Sequence, residues 1–290
     1  MSRKNGFTLI ELLVVIAIIA LLLTIVMPSL KIAKERAQEV LCENNLRQFG
    51  IGMTAYCNDN NGTFPDAEDW LLMNLVRNDP ASPFPVSSSS LMNFDCVWHN
   101  AAIIPDGLII RYLTDDRVRA CPAFKRIALQ KSNCARGLGT HNPAIPVVPQ
   151  FTYSQNPFLG PLGYLRASVF ARRITQVKSP SQVFAYGEEN PYTLPSSNPR
   201  PLYTGFTVRV SSQTPLNDCL LYSINPAAAK ATIDNAGGKY KVPPTFVDCM
   251  GSFHRAKDAD GYLGYSKAVF VDGHLQNVLP EETLIYSWPF

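Results

Sequence analysis

The sequence predicts an α+β fold: a long N-terminal helix, apolar and then amphipathic, packed on an antiparallel β-sheet head with long loops. Three observations carry that expectation. Residues 7–27 form an almost unbroken apolar run. From Leu30 to Tyr56 apolar residues recur at helical spacing. Beyond Pro65 that period disappears, and short apolar runs alternate with stretches rich in Gly, Pro and Ser. Such a change of pattern fits a helix followed by a sheet with excursions.

Within the apolar run, Leu12 to Met27 has Thr24 as its one polar interruption. With Phe7 to Ile10 it reaches about 20 residues, enough to cross a hydrocarbon core of roughly 30 Å as a helix. Arg3 and Lys4 precede it. The positive-inside rule then predicts a single pass with the N-terminus cytoplasmic and the head outside, periplasmic or otherwise extracytoplasmic. No small-x-small cleavage site closes the run, which argues against an ordinary signal peptide. Glu11 stands out, because an acid in lipid costs on the order of 3 kcal/mol. A plain anchor has no use for it.

The stem that follows carries two apolar stripes. Leu30, Ala33, Ala37, Val40 and Leu41 form one, and Leu46, Phe49, Met53 and Tyr56 form another, shifted round the axis. Lys31, Lys34, Glu35, Arg36, Glu39 and Glu43 occupy the other face. The shift predicts that the membrane-near half packs against other chains and the distal half against its own head. Pro28 lacks an N–H and predicts a kink or a local loosening. Gly50 and Gly52 weaken the helix slightly. In "YCNDNNGTFP" (56–65) Asn and Gly permit a left-handed cap and Pro65 forbids continuation. The expected organisation is a short basic segment over 1–6, a helix over 7–58 with 7–27 in the membrane, and a globular head over 59–290.

In the head, residues 69–77 read as a short helix and 108–113 as a strand or helix end. The stretches 78–90, 137–163, 190–201 and 235–239 read as loops. Strands are expected at 182–186, 205–210, 219–224, 268–271 and 275–278. The last two form a hairpin about the Asp272-Gly273 turn, a strong short-range signal.

Charge and cysteine usage narrow the function. The chain of 290 residues carries 26 basic and 23 acidic side chains. Loss of Arg3 and Lys4 with a leader would make it nearly neutral, so no basic field points to nucleic acid. The seven cysteines are an odd number, so at least one thiol stays free or pairs between chains. Cys42 and Cys57 lie about 22 Å apart on one helix and cannot bond to each other. Cys121 and Cys134 are closest in sequence and are the disulfide candidate. No CxxC spacing suggests a zinc knuckle. Neither a nucleophile elbow nor a phosphate loop is present, and the adjacent Glu188 and Glu189 point to opposite faces of a strand. An enzyme is not expected. His254, Asp272 and His274 are metal-ligand types, but Asp272 and His274 flank a tight turn, which explains them without a metal. Asp258 and Asp260 in "KDADGY" offer oxygen ligands of the kind calcium takes, without the EF-hand pattern.

A basic leader, Gly6, then Phe7-Thr8-Leu9-Ile10-Glu11, an apolar helix and Pro28 together resemble the type IV prepilin family and its type II secretion pseudopilins. The resemblance implies that a prepilin peptidase cuts between Gly6 and Phe7 and methylates the new amine. It implies that Glu11, fifth in the mature chain, meets a neighbour's Phe7 amine in a fibre. The implied partners are other pilin-like subunits, the peptidase, an inner-membrane platform of a secretion or pilus machine, and membrane lipid. Some of these pseudopilins hold a structural calcium in a C-terminal loop; no other cofactor is implied. His254 and "AVFVDGH", with Asp272, Gly273 and His274, are similar to large-headed relatives that carry an H-X9-DG motif, although here 17 residues separate His254 from Asp272. The function implied is a structural subunit of a pseudopilus or pilus-like fibre, related to type II secretion. The alternative is an anchored protein with a carbohydrate- or protein-binding head that never polymerises.

Overall fold

The computed structural model describes residues 8–67, 69–71, 106–125, 151–156, 158–161, 171–188, 250–251, 254–255, 264–279, 282 and 286. Helix α1 spans Leu9–Asp59. Among the described residues four strands follow: β1 (Tyr153–Gln155), β2 (Phe184–Glu188), β3 (Ser266–Phe270) and β4 (Leu275–Val278). They form one antiparallel sheet in the order β1-β2-β3-β4. The α+β architecture expected from the sequence is therefore the observed one.

Helix α1 begins and ends as its residues dictate. Thr8 is the N-cap and Glu11 completes a capping box with it. The helix continues through Pro28. Flanking hydroxyls turn inward there, Thr24 donating to the Ala20 carbonyl and Ser29 to that of Val26. At the far end Asn61 takes a φ of 55° and the Gly62 N–H donates to the Cys57 carbonyl at 2.7 Å, closing the last turn in the left-handed region.

The helix divides by exposure. Leu22, Leu30, Val40 and Leu41 are more than half exposed, at 57%, 64%, 61% and 52%. Cys42, Leu46, Phe49, Met53 and Cys57, spaced at successive turns, are buried. Phe49 lies at the centre of an aromatic cluster, with ring centroids 5.7 Å from Trp70, 5.2 Å from Tyr153 and 5.4 Å from Tyr186. Strand alternation sorts β3: Val269 faces this cluster, while Ala268 and Phe270 join Phe184, Met250 and Val278 on the other side of the sheet. Between Phe184 and Tyr186 the β2–β3 register shifts, which leaves Phe184 opposite Phe270 and Tyr186 opposite Val269. Gly50 lets the helix approach β3 closely, since a Cβ there would lie 2.8 Å from Val269 Cγ2.

Ion pairs lock the same junction. Glu39 on the stem is buried and receives Arg255 Nε and Nη2 at 2.9 and 2.6 Å, Lys267 Nζ at 2.9 Å and the Tyr265 hydroxyl. Lys267 Nζ also reaches Glu43 at 2.6 Å. Arg255 adopts a φ of 46°, rare for a non-glycine residue. Burial opposes the charged form of Glu39, but bonds from Tyr265, Lys267 and Arg255 outweigh it and hold the carboxyl down at about 2.

Several local expectations need correction. Residues 69–71 are turn and bend, not the start of a helix, and bond to residues 107–109 instead. Ile110–Tyr112 is a 3-10 turn, neither strand nor α-helix. The strand expected at 182–186 begins later, because Pro180 opens a 3-10 turn over Pro180–Gln182 and β2 starts at Phe184. β1 lies in a segment expected to be loop; three residues are too few to display a period of two. The expected strands at 205–210 and 219–224, and the loops at 78–90, 190–201 and 235–239, fall outside the described residues.

Two predictions follow from this packing, both read by unfolding of the full chain in detergent. Gly→Ala inside a helix usually stabilises by about 1 kcal/mol. Gly52→Ala should do so, its Cβ meeting Leu113 Cδ2 at an ordinary 3.4 Å. Gly50→Ala should instead destabilise, by about 1–3 kcal/mol, because Val269 is β-branched and cannot swing aside. The Glu39 pKa, lowered from 4.5 to about 2, gives stability that is full above pH 4.5 and lost as pH falls through 2. Glu39→Gln should remove on the order of 2 kcal/mol at neutral pH and flatten the acid limb of stability between those two pH values.

Candidate functional site

The N-terminal site is built on the first turn of α1. Gly6 and Phe7 lie outside the described residues. Glu11 Oε2 accepts from the Thr8 N–H and hydroxyl, both at 2.8 Å, and the Glu11 N–H donates to Thr8 Oγ1 at 3.3 Å. The acid thus neutralises orphan donors at the positive end of the helix dipole. Below it, Leu9 to Met27 presents an exposed apolar surface on all sides, in a helix long and apolar enough to span a membrane.

The second group of sequence-singled residues does not assemble as one site. Val271, Asp272 and Gly273 form the β3–β4 turn, closed where the Phe270 N–H donates to the His274 carbonyl at 2.9 Å. The Gly273 N–H donates to the Phe270 carbonyl at 2.9 Å, and Gly273 takes a φ of 89°. The loop is therefore a three-residue turn with glycine in the left-handed position. Asp272 Oδ1 accepts from the His274 N–H at 3.1 Å and contacts His274 Nδ1 at 2.6 Å. Burial disfavours the Asp272 charge, but these contacts prevail and its pKa is lowered. His274 also stacks on Phe270, with ring centroids 4.3 Å apart.

His254 belongs elsewhere. It is buried, bridges to Tyr265 in backbone pairing, and its Nε2 lies 2.9 Å from Glu188. Glu188 is fully buried at the end of β2; its Oε2 accepts from the Lys267 N–H at 2.8 Å. Beside this pair sits a disulfide between Cys42 of the stem and Cys121 of the head. That pairing corrects the expected Cys121–Cys134 bond: nearness in space, set by docking of the stem, overrides nearness in sequence. Cys134 lies outside the described residues, as do Asp258 and Asp260, the calcium candidates. Cys57 is free and buried, and burial pushes its thiol up to about 11, which makes it unreactive. Among the described residues, Cys42, Cys121, Glu188 and His254 are a group able to converge on a metal, with ligand atoms all within 4.8 Å of one another. The sequence reading missed Glu188 and Cys42. Glu188 had one available signal, the alternation that puts it on the face of Tyr186.

Residues 1–27 match the family described as the prokaryotic N-terminal methylation motif. The chain is 44% identical over 95 residues to the type IV wide pilus major component PilA4 of Thermus thermophilus, a match covering 32% of this chain and 72% of that protein. It is 32% identical over 81 residues to the competence protein ComGC of Bacillus subtilis, covering 28% of this chain and 83% of that protein. Against the type II secretion system core protein G of Aeromonas hydrophila it is 35% identical over 85 residues, covering 29% of this chain and 58% of the relative. No solved structure matches the chain. With its capped apolar helix docked at one end on an antiparallel sheet, the chain belongs to the type IV prepilin-like family, whose members include pilins and pseudopilins.

Proposed function

We propose that this protein is a structural subunit of a pseudopilus or pilus-like fibre related to type II secretion, held first in the inner membrane with its head outside the cytoplasm. The observation that carries the reading is the division of α1. The head buries one face of its distal half, from Glu39 to Cys57, while its proximal half leaves a continuous apolar surface exposed. Lipid covers that surface before assembly, and the helices of other subunits cover it afterwards. The relatives named above are components of pili, competence and secretion systems, which supports the same assignment. In this reading the chain does no chemistry of its own. It is a substrate of a prepilin peptidase, which cuts between Gly6 and Phe7, and it docks on an inner-membrane platform during assembly.

Glu11 gives the reading its mechanism. In the single chain its carboxylate caps its own helix through Thr8. Cleavage before Phe7 places a cationic amine at the start of each stem. In a water-poor fibre core, the Glu11 of one chain and the amine of the next neutralise each other and fix the axial register. The cap and the intersubunit pair are compatible, because a carboxylate offers about four acceptor positions.

The expected result is a mature chain starting at methylated Phe7, read by mass spectrometry of membrane extracts; an intact Met1 in cells that contain the peptidase contradicts the assignment. Glu11→Ala should still insert and be cut. Its sedimentable fibre should fall sharply, because leaving the amine unpaired in the core costs about 3–5 kcal/mol. Glu11→Gln, which keeps the cap but not the charge, should fall between. Wild-type fibre yield from Glu11→Ala would assign the acid another role, whereas no sedimentable fibre from the wild type itself would point to the non-polymerising, head-displaying alternative.

A further inference from the structure

The buried group at the stem–head junction has the composition of a metal centre as well as of a disulfide. Cys42, Cys121, Glu188 and His254 are all buried and their ligand atoms lie within 4.8 Å of one another. His254 Nε2 lies 3.7 Å from Cys121 Sγ and 2.9 Å from Glu188 Oε1. Tetrahedral zinc takes sulfur at about 2.3 Å and nitrogen or oxygen at about 2.0–2.2 Å, so its ligand atoms stand roughly 3.3–3.8 Å apart. The Nε2–Sγ edge to Cys121, at 3.7 Å, is already that size, and the Nε2–Oε1 edge, a hydrogen bond at 2.9 Å, opens to it by about 0.4 Å when a metal replaces the proton. The sulfur–sulfur edge reaches it once the bond between them is broken.

Three of the four ligands are also held from behind. The Lys267 N–H fixes Glu188 Oε2 at 2.8 Å. The Cys121 N–H donates to Thr152 Oγ1 at 2.8 Å. His254 is fixed by its backbone pairing with Tyr265 and by the stacked Tyr265 ring, 6.0 Å between centroids. Outer contacts of this kind are what metal sites use to orient their ligands.

We propose that the dithiol form of Cys42 and Cys121, with Glu188 and His254, is a tetrahedral zinc site that ties the stem to the head, and that zinc and the disulfide exclude each other there. Newly exported chains enter in the dithiol form. In the oxidised chain a dithiol reductant delivers two electrons and two protons to the Cys42–Cys121 bond and becomes a disulfide itself. Zinc then displaces the two thiol protons, and any proton held between Nε2 and Glu188, to solvent. In the reverse direction a thiol–disulfide oxidant accepts the two electrons, the sulfurs join and the metal leaves. Either state cross-links α1 to the head, so the junction keeps its staple in both oxidising and reducing surroundings. The inference concerns the head alone and stands apart from whether the chain polymerises.

Cobalt(II) is the probe, added to full-length protein in detergent micelles. Reduced wild type should take up one cobalt per chain with the sulfur-to-cobalt charge-transfer and strong visible bands of a tetrahedral thiolate site. Zinc should bleach them. The loaded protein should resist alkylation at Cys42 and Cys121, mapped by peptide mass, and should not form their disulfide under mild oxidant. Oxidised wild type should show none of these bands. His254→Gln and Glu188→Gln should weaken cobalt binding at least on the order of 10–100-fold, the loss typical even of outer contacts. The double variant Cys42→Ser, Cys121→Ser, which keeps the other five cysteines, should lose the bands. Absence of the bands from reduced wild type overturns the proposal, and this comparison requires no substitution. Their persistence in the double serine variant overturns it too, because the metal would then sit on other thiols.

Discussion

The close seating of α1 on β3 is the constraint from which the rest of the head is organised. Gly50 admits the strand to within van der Waals contact of the helix, and Phe49 beside it fills the space between Trp70, Tyr153 and Tyr186. Once that contact is made, Lys267, two residues before Val269, comes level with Glu39 and Glu43. Glu188, two residues after Tyr186, comes level with Cys42. Apolar burial of an aromatic side chain supplies about 2–3 kcal/mol without direction. The charged and covalent contacts that ring it supply direction: they select one rotation of the helix about its own axis.

That rotation decides what is left for other molecules. Val40 and Leu41 stay exposed although their neighbours Glu39 and Cys42 are buried. The apolar stripe that begins at the membrane therefore runs up the outside of the stem, and the head covers only the opposite stripe. A bare apolar helix of this length is costly in water. Its exposure in a single chain accordingly marks the surface that lipid or other subunits must cover. The junction is closed by charges that resist acid down to the pKa of Glu39 and by a disulfide, so the stem is tied to the head by several independent contacts.

Legibility in the sequence tracks how local each cause is. The apolar run, the stripe shift between Leu41 and Leu46, the Asn-Gly helix end and the Asp-Gly turn are each set by residues within a few positions of one another. All of them could be read along the chain. The strands β3 and β4 were also legible, because alternation about Gly273 spans a single hairpin. The junction was not. Cys42–Cys121 closes a separation of 79 residues, and the Arg255 and Tyr265 bonds to Glu39 close 216 and 226. Glu39 read as one more charge on a solvated face, and Glu188 as a strand-end acid. Only the docking angle of α1 distinguishes them from their neighbours. His254 stood out in the sequence beside Asp272, Gly273 and His274, but in the structure it contacts Glu188, while Asp272 and His274 contact each other.

The two-interface arrangement of α1 puts its own head on one side and other subunits on the other. Photo-crosslinking tests it most directly. A photoreactive phenylalanine analogue is placed at Val40, on the exposed stripe, or at Met53, on the buried one, and the chains are irradiated in assembled membranes. Chain-to-chain adducts are expected from Val40 and only within-chain adducts from Met53. Chain-to-chain adducts from Met53, or none from Val40, would contradict it.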